Sequence, residues 1–162
     1  MDDKSELQST GANARKPNPM LQPLQPLIGN WLTTGEHPYI PDVKLRGKTS
    51  FEWIEGGSFM IMRTEIEHPK IPDGIAIFGS DDSAGTYYMI YFDERDVSRK
   101  FDVAITEDGL KWHRNDDHLS QRVTMEIMKD KLVTRGEMSQ DGGKWEPDLS
   151  LTYEKQWQTL VC

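Results

Sequence analysis

The triplet Gly29-Asn30-Trp31 is the most informative part of the chain for its fold, because proline-spaced leucines precede it and only short strand-like segments follow it. From Ile28 onward apolar and polar residues alternate, and turn signals recur about every 8 to 12 residues, which is typical of β-barrels and β-sandwiches. The pairs Gly56-Gly57 and Asp73-Gly74 are such signals, since glycine tolerates the positive φ that tight hairpins require. The pattern predicts an all-β chain.

Ten strands are predicted, with no helix between them. Because short turns join only adjacent antiparallel strands, an up-and-down order is the economical connectivity. Two packed sheets would show the same periodicity, so the pattern alone leaves a β-sandwich open as an alternative to a closed barrel. The predicted strands lie near residues 29-36, 46-55, 58-67, 74-80, 85-93, 98-106, 109-115, 119-128, 131-139 and 144-155.

An N-terminal arm and a short cap helix are predicted before the strands. Leu21, Leu24 and Leu27 recur at a spacing of three, which predicts a 3₁₀ or one-turn helix that covers one end of the barrel. The first residues are polar and aperiodic and cannot bury enough apolar surface to offset ordering. We therefore expect a mobile arm at residues 1-19, one barrel domain at 20-157 and a C-terminal tail at 158-162.

The charge and composition exclude several kinds of partner. The chain has 19 basic and 27 acidic residues, a formal net charge of −8, which repels the phosphate backbone of nucleic acids. No apolar run approaches the ~20 residues of a membrane helix, and Met1-Asp2-Asp3-Lys4 does not resemble a secretory signal. We expect a cytoplasmic protein without nucleic-acid or membrane partners, and a lone Cys162 cannot form an intrachain disulfide.

Several blocks of the chain resemble an uncharacterised bacterial family of calycin-type, nitrobindin-like and lipocalin-like β-barrel proteins. The resemblance covers residues 27 to 155 and favours a single closed barrel over a sandwich, but it implies no particular activity. The blocks are Gly29-Asn30-Trp31 with Gly35-Glu36-His37-Pro38, Phe51-Glu52-Trp53-Ile54-Glu55-Gly56-Gly57, His68-Pro69 with Pro72-Asp73, Tyr91-Phe92-Asp93 with Val97-Ser98-Arg99, Ser120-Gln121-Arg122, and Asp141-Gly142 with Trp145-Glu146 and Asp148.

Two positions depart from the better-understood relatives. Haem-binding nitrobindins present an axial histidine on the last strand, where the matching residue here is Asp148, a poor ligand for haem iron. The resemblance therefore implies no haem, and we expect no cofactor. Calycins also place an arginine over the first-strand tryptophan, where this chain offers Lys155 or, alternatively, Arg135. The four histidines show no spacing that presets a metal site, so we expect no metal.

Aromatic residues are the first candidates for the wall of a ligand cavity. Thr49, Phe51 and Trp53 share one face of the second strand, which predicts an inward aromatic pair. We place Trp53 and Tyr91 at the ligand, at the same end of the barrel as His37 and His68. Ordinary core packing is the alternative, because large side chains dominate any core. On the fifth strand the face opposite Tyr91 is also apolar, which predicts that a homodimer interface or the N-terminal arm covers it.

Histidines and arginines are the candidate polar groups. His37 and His68 each precede a proline at a strand end, so they are candidate proton-transfer residues at the barrel rim, or they bind turn backbone. Arg99 and Arg114 are the candidate anchors for an anionic oxygen, and the alternative is that each pairs with a carboxylate that fixes strand closure.

The combined pattern predicts a barrel that binds a small, largely apolar molecule carrying an anionic or polar group. About eight strands fill with side chains, whereas ten should leave room for a ligand. The alternative is a cofactor-independent enzyme of the proton-transfer, isomerase, cyclase, lyase or hydrolase type that uses the same cavity. A third possibility is a filled barrel with a purely structural role.

Overall fold

A computed structural model describes residues 16–157 of the chain. Within that range ten antiparallel strands form one closed barrel, in the order β1-β10-β9-β8-β7-β6-β5-β4-β3-β2. Every strand pairs with its neighbours in sequence, and β10 closes the sheet against β1. The predicted all-β class and up-and-down barrel are therefore confirmed, and the sandwich is excluded. None of the helices in residues 16–157 could span a membrane.

The elements follow the predicted order closely. A nine-residue 3₁₀ helix, the cap helix (Pro19–Leu27), precedes the first strand, as the leucine spacing predicts. The predicted N-terminal arm and C-terminal tail fall largely outside the described residues. The strands are β1 (Gly29–His37), β2 (Ile40–Ile54), β3 (Phe59–Ile66), β4 (Gly74–Asp81), β5 (Thr86–Asp93), β6 (Val97–Ile105), β7 (Gly109–Arg114), β8 (Leu119–Met128), β9 (Lys131–Gln140) and β10 (Glu146–Gln156).

The second strand begins six residues earlier than predicted, at Ile40 instead of residue 46. Proline has no N–H to donate to a sheet, so Pro41 does not suit an ordinary position in a β-ladder. In the structure the register shifts between the Gly35-Leu45 and His37-Ile40 pairs of β1 and β2, and Pro41 lies within that irregularity. The missing N–H of Pro41 is therefore not required by the β1–β2 ladder.

The Gly56-Gly57 turn, from Glu55 to Gly57, connects β2 and β3. Gly56 and Gly57 have φ values of 66° and 88°, so both occupy the left-handed region that glycine adopts without steric cost. The hairpin at this position is as predicted, with positive φ at both glycines of its turn.

The cap helix and large apolar side chains fill one end of the barrel, which we call the capped half. Leu21, Leu24 and Leu27 are buried, and the indole Nε1 of Trp31 donates a 2.8 Å hydrogen bond to the carbonyl oxygen of Leu27. This bond ties the cap to the first strand and satisfies a buried donor. The other fully buried side chains here include Phe51, Met60, Phe78, Leu110, Met125 and Leu132.

Lys155, and not Arg135, covers the first-strand tryptophan. Its Nζ lies 5.4 Å from the centre of the Trp31 ring and 3.4 Å from the Ile28 carbonyl oxygen. Lys155 and Trp31 are paired across β10 and β1, so their side chains share the inward face. The ammonium group therefore supplies a cation–π contact where the resemblance implies an arginine.

The outer face of β5 is only partly open. The Tyr88 ring lies against Gly79 of β4, where an added Cβ would approach its hydroxyl oxygen to 2.5 Å. Lys100 lies 5.8 Å from the centre of the same ring. Among the aromatic residues of this face, Phe92 is the exposed one. The predicted homodimer interface stays a prediction.

Candidate functional site

The half of the barrel away from the cap helix, which we call the open half, contains a cavity of about 550 Å³. Small inward residues leave this space, among them Ala76, Thr134 and Gly136. Its volume lies within the roughly 300 to 1,000 Å³ that small-molecule sites occupy. Most of the wall is apolar, and includes Met62, Ile66, Met89, Phe101, Trp112, Val123 and Leu151.

A chain of polar side chains crosses from β6 to β1 along this cavity. Arg99 Nη1 donates to Gln121 Oε1 at 3.1 Å, and Gln121 Nε2 lies 3.5 Å from Asp148 Oδ2. His37 Nε2 lies 3.0 Å from Asp148 Oδ1. The order along the chain is therefore guanidinium, amide, carboxylate and imidazole, on four different strands.

His37 is held by two hydrogen bonds. Its Nδ1 accepts a 3.0 Å bond from the backbone N–H of Tyr39, so in the neutral ring the proton is on Nε2 and is donated to Asp148. The β1–β10 ladder ends at the Glu36-Ser150 pair, and the His37-Asp148 bond lies just beyond it. Because both ring nitrogens are engaged, His37 can accept a proton only if its bond with the Tyr39 amide breaks.

The two His-Pro motifs form the same local bond. His68 Nδ1 accepts the backbone N–H of Lys70 at 3.1 Å, which repeats the bond between His37 and Tyr39. This is the turn-backbone alternative that the sequence left open. His68 lies in the connection between β3 and β4 and does not line the cavity, so the structure separates it from His37.

Arg99 lines the cavity without a carboxylate partner. It is half-buried and shares the inward face of β6 with Phe101 and Val103. Among the described residues its side-chain hydrogen bond goes to the Gln121 oxygen, and no acidic oxygen lies within 4.0 Å of the guanidinium. The alternative role for Arg99, in which it pairs with a carboxylate and fixes the closure of the strands, is therefore not observed in the described range.

Tyr91 belongs to a separate group at the rim. Its hydroxyl donates a 2.8 Å bond to Asp93 Oδ2, which also binds Arg95 Nη2 at 2.7 Å. The hydrogen bonds from Arg95 lower the pKa of Asp93 to about 2, whereas burial and the Asp93 carboxylate raise the pKa of the Tyr91 phenol well above its usual value. The Tyr91 ring lies against Gly74, where a Cβ would come within 2.9 Å of it. Tyr91 is therefore a neutral, oriented wall residue.

Thr64 of β3 adds an unsatisfied polar atom to the lining. Its hydroxyl oxygen is buried and has no hydrogen-bond partner in the part of the chain that the structure describes. Buried hydroxyl groups normally have a partner, because an unpaired one costs about 1 to 3 kcal/mol. A polar group of a ligand would satisfy it.

Two of the predicted ligand-binding residues lie away from this cavity. Trp53 points inward but at the capped end, where its Nε1 donates to Gln25 Oε1 at 2.9 Å. Arg114 ends β7 and its Nη2 lies 3.3 Å from Asp116 Oδ2. The placement of Trp53 at the same end as His37 was wrong, because the C-terminal end of β2, where Trp53 lies, contacts the cap helix.

Gln121 and Thr64 are the cavity residues that sequence reasoning missed. Gln121 lies within one of the blocks that carry the resemblance, and it is in phase with the inward residues Val123 and Met125. This alternation would have predicted that the Gln121 side chain points into the barrel. Nothing in the sequence indicates that it lies next to Arg99, since β6 and β8 are not adjacent strands.

The cavity does not fit a histidine-ligated haem. The position that the resemblance assigns to the axial ligand is Asp148, and the neighbouring His37 uses both ring nitrogens. No group of three or more His, Cys, Asp or Glu side chains that could hold a metal ion occurs between residues 16 and 157.

Fold and site together define a closed ten-stranded β-barrel with one capped end and one hollow end. No protein-family model matches the chain, and no curated protein matches it. Among solved structures, the crystal structure of Rv2717c from M. tuberculosis is similar, with a TM-score of 0.64 over 86% of this chain and 99% of that one. The two sequences are 15% identical, so the similarity concerns the fold alone.

Proposed function

We propose that the barrel binds a small, largely apolar molecule with an anionic or polar group in the open half. The observation that carries this proposal is the cavity of about 550 Å³, whose apolar wall meets a few polar groups. This combination is characteristic of small-molecule sites, in which apolar walls supply affinity and a few polar groups fix orientation.

The size of the apolar contact sets the expected affinity. A ligand that hides about 200 Å² of apolar surface gains ~5 kcal/mol at about 25 cal/mol per Å², before the costs of association are subtracted. Apolar burial alone therefore supports weak binding. Polar contacts would have to supply the rest of the binding free energy that a micromolar dissociation constant requires.

A cofactor-independent enzyme is the second candidate. The supporting observation is the half-buried Asp148 carboxylate, which lies in the cavity with a histidine on Oδ1. The geometry favours Asp148, and not His37, as the proton acceptor, because both nitrogens of His37 are engaged. We rank binding above catalysis, because the cavity by itself supports binding, whereas catalysis requires the further assumption of a reaction.

The binding proposal can be tested with N-phenyl-1-naphthylamine, a neutral dye that fluoresces in apolar sites. Val123→Phe should fill the cavity and weaken binding of the dye by roughly tenfold or more, because V123F places a ring where the ligand would lie. Met128→Phe introduces the same ring at an exposed residue away from this cavity, so it should leave binding unchanged. Absence of binding to the natural chain, or equal binding to both variants, would contradict the proposal.

Catalysis would show a different pattern. If the barrel is an enzyme, Asp148→Asn should abolish turnover of a molecule that it still binds. Equal turnover in D148N and the natural chain would eliminate Asp148 as the proton acceptor.

A further inference from the structure

We infer that Arg99 forms the binding site for a single negatively charged oxygen group of the ligand, a carboxylate or a sulfonate, and that Gln121 makes this site selective for anions. The inference rests on the proposed function, because it concerns the ligand of the same cavity. The new elements are the single negative charge of the ligand and the role of Gln121 in the preference for it.

The positive charge of Arg99 has few polar partners for a half-buried side chain. It is half-buried beside an apolar wall, and its side-chain bond uses one neutral amide oxygen. A guanidinium has five N–H donors in a fixed fork that matches a carboxylate, so most of its hydrogen-bonding capacity is available to a ligand. Desolvating a charge without a partner is costly, and an anionic oxygen would relieve that cost.

The orientation of the Gln121 amide follows from its two neighbours. A guanidinium can only donate hydrogen bonds, so the amide oxygen faces Arg99 and the amide nitrogen faces Asp148. The amide thus stands between the positive group and the negative group. A glutamate at this position would have nearly the same shape but would neutralise Arg99. The neutral side chain of Gln121 therefore leaves the positive charge of Arg99 for the ligand.

The charges around the cavity favour one negative charge on the ligand. The lining contains three cationic side chains, Lys70, Arg95 and Arg99, and one carboxylate, Asp148. A second carboxylate, Asp93, binds Arg95 directly. Three positive charges against two negative ones leave one positive charge, in a protein whose formal net charge is −8. A monoanion balances this charge, whereas a dianion would leave the group with a net negative charge.

The unpaired hydroxyl of Thr64 is a second polar feature of the cavity wall, and it concerns the hydrogen bonding of the ligand and not its charge. It is a buried donor and acceptor in the lining of the cavity, on β3, across the barrel from Gln121 on β8. A ligand that spans the cavity would bring a further polar atom to it. The polar groups therefore suit a molecule with one charged end and one additional hydrogen-bonding atom.

A matched pair of dyes tests the inference. The dye 8-anilinonaphthalene-1-sulfonate differs from N-phenyl-1-naphthylamine by its sulfonate group, so the ratio of their dissociation constants measures the preference for an anion. Hydrogen bonds to charged groups predict a preference of roughly 10- to 150-fold for the sulfonate. Displacement of the sulfonate dye by 1-naphthoate, compared with the uncharged 1-naphthamide, repeats the measurement for a carboxylate.

Two variants should remove the preference and one should not. Arg99→Met removes the charge, and Gln121→Glu places a carboxylate between Arg99 and Asp148, so both should remove the preference for the sulfonate dye. Arg114→Gln removes a charge at the end of the neighbouring strand, where Arg114 binds Asp116 and does not line the cavity. R114Q should therefore keep the natural ratio. If R99M does not fold, Q121E still decides the question.

The outcomes distinguish the two proposals. If both dyes bind and Val123→Phe blocks both, but R99M and Q121E keep the natural ratio, the anion site is wrong and the cavity proposal survives. If the natural chain prefers the neutral dye, the anion site is likewise refuted. If neither dye binds, or if V123F leaves the binding of both dyes unchanged, both proposals fail.

Discussion

The capped and open halves of the barrel are built from the same ten strands, yet one is solid and the other is hollow. In the capped half Trp31 and Phe51 are at most 1% exposed, and the cap helix closes the end. In the open half, the same strands carry Thr64, Ala76 and Gly136 on their inward faces, and a cavity remains.

The difference shows that strand number does not by itself determine whether a barrel is hollow. Large inward residues can fill a ten-stranded barrel over part of its length, and smaller ones leave space over the rest. The capped half therefore carries most of the packing energy, while the open half carries the polar groups that face the cavity. Substitutions in the two halves should affect stability differently.

The largest expected effect compares two methionines on β3. Met60 is fully buried in the capped half, whereas Met62 points inward from the cavity wall two residues later. Met60→Ala should lower the free energy of unfolding by about 2 to 5 kcal/mol, because it creates a cavity in a packed core. Met62→Ala should cost roughly half of that or less, because that side chain already borders empty space.

Equilibrium unfolding in urea measures both values, with the slope of each transition as a check on two-state behaviour. Equal losses in M60A and M62A would contradict the division into a solid and a hollow half.

The period-two pattern predicted the faces of the strands well, because alternation is a local property of the chain. Leu21, Leu24 and Leu27 likewise predicted the cap, since their spacing leaves one apolar face that must be covered. The early start of β2 was missed because Pro41 is incompatible with an ordinary ladder position and the sequence does not show that this segment is irregular.

Height along the barrel axis could not be predicted in the same way. It depends on the stagger between strands, which is set by the closure of the whole sheet. Trp53 was therefore assigned to the correct face but the wrong end, whereas Tyr91 and Arg99 were assigned to the cavity that they do line. Gln121 was missed for a different reason, because its neighbour Arg99 is two strands away and the two strands are not paired.

A smaller effect concerns the pH dependence of stability at the open rim. The folded-state pKa of Asp93 is lowered to about 2 by its bonds with Arg95, so this carboxylate stabilises the fold above its unfolded pKa of about 4. That contribution is lost as the pH falls from about 4 towards 2. Because Arg95 is 55% exposed, solvent screening reduces the effect to about 1 kcal/mol or less.

Unfolding free energies at pH 5 and at about pH 2.5 test this expectation. Asp93→Asn should remove that part of the loss between the two pH values, at most about 1 kcal/mol. Asp117→Asn, in the exposed connection between β7 and β8, should leave it intact. The same pH dependence in D93N and D117N would show that the Asp93-Arg95 pair does not stabilise the rim.

The smallest effect is local to the two His-Pro motifs. Removing the imidazole of His37 leaves the Tyr39 amide without its acceptor, so His37→Ala should speed hydrogen exchange of that amide by roughly fivefold, as loss of a ~1 kcal/mol bond predicts. His68→Ala is the matched control, because it should speed exchange at Lys70 and leave Tyr39 unchanged. Amides of the capped half, such as that of Trp31, should exchange at the same rate in both variants, because opening of the rim need not unfold the packed core. Faster exchange at Trp31 in H37A would mean that the two halves open as one unit.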